Sequence, residues 1–131
     1  METTDYCSYE LSKALKECGF DEPCDHYYCA FDNETDVRFW SIHPAQSHNG
    51  FANPKDKVIA AAPTLWLAQK WLREKHHISV RVSYIAYHKA WFADWLNLDS
   101  REFDDTDATF ATYEEALSEG IETALELIIH K

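Results

Sequence analysis

Glycine is scarce in this chain, and the motifs that depend on it are missing. The 131 residues include three glycines, at positions 19, 50 and 120, which are too far apart to form a phosphate-binding loop. The nucleophile motif G-x-S-x-G, the zinc motif H-E-x-x-H and an aspartate-rich calcium loop are also absent. The sequence therefore favours a non-enzymatic protein, with an enzyme as the alternative only if its site has no local motif.

Long apolar runs are missing too. No stretch approaches the roughly 20 consecutive apolar residues that a membrane-spanning helix needs. The first ten residues contain no lysine or arginine, whereas a secretory signal begins with a basic segment. We therefore expect a cytoplasmic protein of a bacterial host cell that makes no contact with a membrane.

The four cysteines fit neither a disulfide framework nor a metal site. Because no secretory signal is predicted, we expect reduced thiols. Cys7 and Cys18 fall on the apolar side of a predicted helix and are interpreted as core residues. Cys24 and Cys29 flank His26, but their spacing matches no zinc motif. The sequence predicts neither a bound metal nor a cofactor.

Apolar and aromatic residues are plentiful, at 46% and 15% of the chain, and they are sufficient to fill a core. The length suits a single α+β domain over residues 1–131. Hydrophobic periodicity predicts an antiparallel sheet of five to six strands with three helices. The predicted helices cover 8–18, 63–75 and the segment from 112 onward. The predicted strands cover 26–31, 37–41, 57–61, 78–87, 90–97 and 107–110.

The order of these elements repeats. Two strands, a loop, a short strand and a helix occur over roughly 26–77 and again over 78–130, which predicts two approximate ββ(β)α halves. The two segments share little sequence, so the common occurrence of three-stranded motifs with a covering helix explains the order equally well.

Capping residues mark where the helices begin. Ser8 is a predicted N-cap, Pro63 and Thr64 open the second helix, and Thr112 forms a capping box with Glu115. On the second helix Trp66 falls outside the apolar arc, so we predict that this ring is exposed.

Charge is unevenly divided along the chain, whose formal net charge is −11 at pH 7. Residues 1–54 include ten acids and three bases, and residues 92–131 include eleven acids and two bases. Residues 55–91 instead include two acids and seven bases. An acidic protein repels nucleic acid, so we expect a protein partner. Nucleic-acid binding through the basic segment 55–81 is the weaker alternative.

Two surface features are candidates for binding that partner. The acidic run from Asp99 to Asp107 has three interpretations: a solvated connection, a divalent-cation site, or a surface that recognises a basic protein. In the third case its carboxylates would imitate nucleic-acid phosphates. Trp66 near Arg73 is typical of an interface anchor. The residues predicted to bind the partner are Trp66, Arg73, Asp104, Asp105, Glu119 and Glu122.

A predicted loop over residues 42–56 is the alternative site. It includes two prolines and the histidines His43 and His48. Loop histidines can bind metals or act in acid–base catalysis, so an enzymatic site here stands beside the simpler interpretation of a solvated loop.

Three stretches together carry a family resemblance: SYELSKALKECGF at 8–20, APTLWLAQKWLREKHHI at 62–78 and FATYEEALSEGIETALELI at 110–128. They resemble an uncharacterised group of small proteins encoded by phages, prophages and related mobile elements of gut bacteria. The resemblance implies a mobile-element protein. Together with the charge segregation and the lack of catalytic motifs, it leads us to expect a protein that binds a host or phage protein. That group has no assigned activity, so the resemblance implies no functional residues.

Overall fold

The computed structural model has an α+β fold and describes residues 3–31, 36–41 and 57–130. The helices in these ranges are α1 (Tyr9–Glu17), α2 (Leu65–Lys75) and α3 (Tyr113–Ile129). The strands are β1 (His26–Phe31), β2 (Asp36–Ser41), β3 (Lys57–Ala61), β4 (Ile78–Ile85), β5 (Ala90–Asn97) and β6 (Phe103–Asp105). The predicted turn at 32–35 and the predicted loop at 42–56, with His43 and His48, lie outside the described residues.

The predicted fold class is confirmed, and the six described strands divide over two antiparallel sheets of three strands each. The first sheet has the order β2-β1-β3 and the second has the order β4-β5-β6. The chain divides into two compact units, residues 6–63 and residues 64–131 together with 1–5. Each sheet therefore belongs to its own unit, and the assignment of the whole chain to one domain stays a prediction.

In the unit of residues 6–63, helix α1 packs against β3. The helix begins where predicted, because the Ser8 hydroxyl oxygen accepts a hydrogen bond from the Leu11 N–H at 3.2 Å. It ends before Gly19, whose φ of +94° lies in the left-handed region that glycine tolerates. Near its end, Lys16 Nζ donates to the Ile59 carbonyl of β3 at 2.8 Å. Helix and sheet are thus joined by a polar contact as well as by packing.

One cluster of the core of this unit is centred on β1. Tyr27 and Cys29 are buried and pack against Val58 and Ala61 of β3. Cys7 is fully buried, which confirms its interpretation as a core residue. Tyr27 and Cys29 are two residues apart, so they lie on the same face of β1, and this face is buried.

In the unit of residues 64–131, α3 packs against β4 and β5, and α2 packs against β4 and α3. The Thr64 and Thr112 hydroxyl oxygens accept hydrogen bonds at 3.1 Å from the N–H groups of Leu67 and Glu115, so Thr64 caps α2 and the predicted N-cap at Thr112 is confirmed. Gln69 Nε2 of α2 donates to the carbonyl of Val80 at 2.7 Å. Strands β4 and β5 pair without interruption from Ile78↔Asn97 to Ile85↔Ala90.

The predicted strand at 107–110 is wrong, because the third strand of this sheet is Phe103–Asp105. The chain turns tightly after β5, and the Asn97 N–H donates to the Glu102 carbonyl at 2.8 Å, which brings the next residues directly into register. Asp107 has a φ of +58°, which is incompatible with an extended strand. Phe110 keeps only an isolated bridge to Trp91.

The predicted repeat is present in the order of the elements, but its two halves have different topologies. The central strand of the first sheet is β1, which comes first in its half of the sequence. The central strand of the second sheet is β5, which comes second in its half. Helix α2, which ends the first half in sequence, packs on β4 and α3 of the second.

The tryptophans divide between core and surface. Trp71 and Trp95 are buried, at 4% and 9% exposure. Trp66 is 41% exposed, as predicted from the helical wheel. Trp40, expected in the core or on a sheet face, is 44% exposed because β2 is an edge strand.

Helix α3 lies very close to the second sheet at Gly120. A Cβ atom at this position would lie 2.7 Å from Val80 Cγ1 and 2.8 Å from Ala93 Cβ. Both neighbours are buried, and the Cβ of Ala93 cannot rotate away from its strand. Glycine is therefore required here by packing, although it is a weak helix former.

We predict that Gly120→Ala destabilises the protein. Alanine gains about 1 kcal/mol of helix propensity, whereas overpacking a core costs about 1–3 kcal/mol, so the net effect is a loss. Urea unfolding followed by circular dichroism measures it.

The double variant Gly120→Ala/Val80→Ala is the matched test, because removing Cγ1 removes the shorter contact. The two substitutions should then cost less together than the sum of their separate effects. A Gly120→Ala protein as stable as the wild type would contradict the assignment.

Candidate protein-binding surface

The acidic run begins in a turn that Asn97 organises. Asn97 Oδ1 accepts hydrogen bonds from the N–H groups of Asp99 and Ser100, at 2.9 and 3.0 Å. The Arg101 N–H donates to the Asn97 carbonyl at 2.8 Å, and Arg101 has a φ of +67°. Four local bonds, including the one to Glu102, therefore set the position at which β6 begins.

Phe103, the first residue of β6, is a large apolar residue that is 76% exposed. It pairs with Leu96 of β5, and it lies directly between Glu102 and Asp104. Sequence reasoning missed this residue. A signal was available, since a large ring inside the hydrophilic run REFDD has no apolar neighbour with which to be buried.

A shallow groove continues this surface. Its volume is about 340 Å³, and Ile85 and Phe92 line it together with Asp105 and Asp107. Along a strand alternate residues share a face, so Phe92 lies on the same face as Leu96, the partner of Phe103. We define the β6 surface as Phe92, Phe103, Asp105 and Asp107, together with the exposed Asp104, which pairs with Trp95 and lies on the opposite face of the strand.

Two carboxylates of the β6 surface accept hydrogen bonds from backbone N–H groups one or two residues further along the chain. Asp104 Oδ1 accepts from the Asp105 N–H at 2.8 Å, and Asp105 Oδ1 accepts from the Asp107 N–H at 2.9 Å. The alternation of hydrogen bonds along β6 directs the Asp105 N–H away from β5, toward the free edge. An edge capped in this way is protected against pairing with another strand, so recognition falls to the side chains.

A second acidic group lies on α3, where Glu119, Glu122 and Glu126 are spaced at three and four residues. Partial burial raises the pKa of Glu122, and the neighbouring carboxylates Glu119 and Glu126 raise it further. None of the three side chains forms an ion pair with a described residue. The helix therefore holds like charges together without compensation.

The basic candidates lie on α2. Trp66 and Arg73 are exposed and seven residues apart, so they share one side of the helix. Lys70, between them, forms an ion pair with Glu74 at 3.8 Å. Arg73 forms no ion pair with a described residue.

The six predicted binding residues thus form three separate groups. The structure places Asp104 and Asp105 on opposite faces of β6, Glu119 and Glu122 within one turn of α3, and Trp66 and Arg73 on α2. In the described part of the chain no hydrogen bond or ion pair joins one group to another. The β6 surface is the group that combines an exposed ring with carboxylates.

The cysteines offer little nucleophilic chemistry. No disulfide joins any two of the four cysteines, all of which are described residues. Burial raises the pKa of Cys24 to about 12, with further contributions from Asp25 and Glu22, and burial also raises the pKa of Cys7. Both groups are therefore protonated at neutral pH. The ring of His26 stacks on Phe39 at 4.7 Å, which is a packing role.

The described residues form neither a metal-binding group nor a helix that could span a membrane. No three histidine, cysteine, aspartate or glutamate side chains are grouped so that they could hold a metal ion. None of the described helices has the length and apolar character required to cross a membrane.

Comparison with known proteins found no match among protein-family models, curated proteins or solved structures.

We predict that Glu122→Gln stabilises the protein at neutral pH by about 0.5 kcal/mol, since a like-charge pair at helical spacing costs roughly 0.2–0.5 kcal/mol and Glu122 has two such neighbours. The raised pKa means that the folded state holds this proton more tightly than the unfolded state. Wild-type stability therefore increases relative to the variant as pH falls, and the difference disappears below the ordinary value of 4.5. Thermal unfolding between pH 3.5 and 7.5 measures both effects.

Glu114→Gln is the control, because a carboxylate in the first turn of α3 interacts favourably with the helix dipole. It removes the same charge from the same helix and should give no stabilisation. Equal stabilisation by both variants would mean that only net charge matters, and that Glu122 has no special position.

Proposed function

We propose that this chain is a non-enzymatic interaction protein, of phage or mobile-element origin, that binds a basic surface of a host or phage protein. The observation that supports the proposal best is the exposed ring of Phe103 between carboxylates that no described cation neutralises. An exposed aromatic residue supplies apolar area that is buried on binding, and aromatic residues are enriched in interfaces. The surrounding carboxylates select a partner of opposite charge.

Local electrostatics also support a partner that is a protein rather than a nucleic acid. The three aspartates of the β6 surface repel phosphates, while they attract lysine and arginine side chains. Two aspartates of the same sheet and its turn do have partners: Arg81 Nε lies 2.9 Å from Asp94, and His77 Nδ1 lies 3.0 Å from Asp99. The β6 carboxylates have no such partner within the described residues, so they are available to one.

Charge reversal tests the electrostatic part of the proposal. We expect Asp104→Lys/Asp105→Lys to lower capture of the specific partner from a bacterial lysate about ten-fold or more, because like charges across an interface cost several kcal/mol. Affinity capture followed by quantitative mass spectrometry at low and high salt provides the measurement.

Glu17→Lys/Asp21→Lys is the matched control, since both residues are exposed and the pair changes the net charge equally. It should retain capture. Equal loss in both variants would show that only net charge matters, and capture that survives in the first variant would contradict the proposal.

Removing the ring tests the apolar part. Phe103→Ser should change the free energy of unfolding by less than about 0.5 kcal/mol, because the side chain is already exposed, yet it should reduce capture. Tyr87→Ser is the control, since Tyr87 is 93% exposed on the β4–β5 turn. The proposal fails if Phe103→Ser binds as well as the wild type, or if both variants lose binding equally.

A further inference from the structure

A cavity of about 310 Å³ opens at one end of the unit of residues 64–131. Ile78, Trp95 and Leu127 supply its apolar wall, and Asn97 and Glu102 belong to its polar rim. Its size lies at the lower limit of ligand sites, which favours one long side chain over a larger molecule. None of these residues belongs to the β6 surface.

The electrostatics of the cavity favour a cation. Leu127, in the last turn of α3, lines the cavity, and this turn contains no basic residue to offset the partial negative charge at a helix C-terminus. The carboxylate of Glu102 forms no ion pair with a described residue, whereas nearby Asp99 is paired with His77. Arg73 and Lys75, the basic residues in the last turn of α2, do not line the cavity.

The rim is held in place before any ligand arrives. The Asn97 N–H bonds to the Glu102 carbonyl at 2.8 Å, and the Glu102 N–H bonds to the Ser100 hydroxyl oxygen at 3.2 Å. On the other side His76, the C-cap of α2, packs edge-on against Trp71 with 4.8 Å between ring centroids. A site held in this way loses little conformational entropy when it binds.

We propose that this cavity binds an arginine side chain presented by the basic partner. The aliphatic stem would lie along Ile78 and Leu127, with the guanidinium group between the ring of Trp95 and the carboxylate of Glu102. A planar guanidinium both stacks on an aromatic face and bonds a carboxylate with two N–H groups, which an ammonium cannot do. The inference rests on the proposed function in one respect, because the basic partner supplies the arginine. The chemistry of the cavity does not depend on the proposed function.

Nuclear magnetic resonance of the full chain tests the proposal with three short peptides, acetyl-Gly-X-Gly-amide, in which X is arginine, lysine or citrulline. Citrulline has nearly the shape of arginine and no charge. The arginine peptide should shift the Trp95 indole N–H and the Ser100 and Glu102 amide signals saturably. Affinity should be about five-fold weaker for citrulline, and weaker for lysine too, since a partly solvated ion pair contributes up to about 1 kcal/mol.

Glu102→Gln should remove the preference for arginine over citrulline, and the spectrum itself shows whether the variant is folded. Glu114→Gln, which removes the same charge at the opposite end of α3, should keep the preference. Shifts that are equal for all three peptides, shifts elsewhere in the chain, or the absence of any shift would each overturn the proposal.

The same titration on Asp104→Lys/Asp105→Lys separates this inference from the proposed function. Arginine binding in a protein that captures no partner would support the cavity and contradict the proposed function. Partner capture that depends on Asp104 and Asp105, without arginine binding, would overturn the cavity and leave the proposed function standing.

Discussion

The close approach of α3 to the second sheet is the constraint on which its unit depends. At Gly120 the helix backbone lies so near Val80 and Ala93 that no side chain fits between them. This contact fixes the rotation of α3 about its axis. Leu117, Ile121 and Leu125 are consequently buried, and the glutamates of the helix are directed toward solvent. It also brings the last turn of α3 against the end of β5, where the cavity lies.

The same constraint explains a local electrostatic cost. Because α3 is held by its apolar side, Glu119, Glu122 and Glu126 cannot turn away from one another, and burial adds to the repulsion at Glu122. Exposed like charges at helical spacing are modestly destabilising. A partner that carries positive charge would remove this repulsion on binding. The glutamates of α3 and the β6 surface would therefore both favour a positively charged partner, although no described contact connects them.

The turn after β5 has a comparable influence on the candidate site. The backbone and side chain of Asn97 together bond Asp99, Ser100, Arg101 and Glu102, and these bonds set the register of β6. That register exposes Phe103 and places Asp105 beside the apolar groove. It also holds Glu102 at the rim of the cavity. One asparagine thus positions residues of both proposed binding features.

Much of the local structure follows from the sequence alone, because it depends on residues within one or two turns of each other. The caps Ser8, Thr64 and Thr112, the exposure of Trp66 and the acidic side of α3 are all of this kind. The division of the strands over two sheets, the position of β6, the exposure of Phe103 and the cavity beside Trp95 were decided by tertiary structure. They depend on pairing and packing between residues distant in the chain, and a turn with positive φ at Arg101 gives no periodic signal.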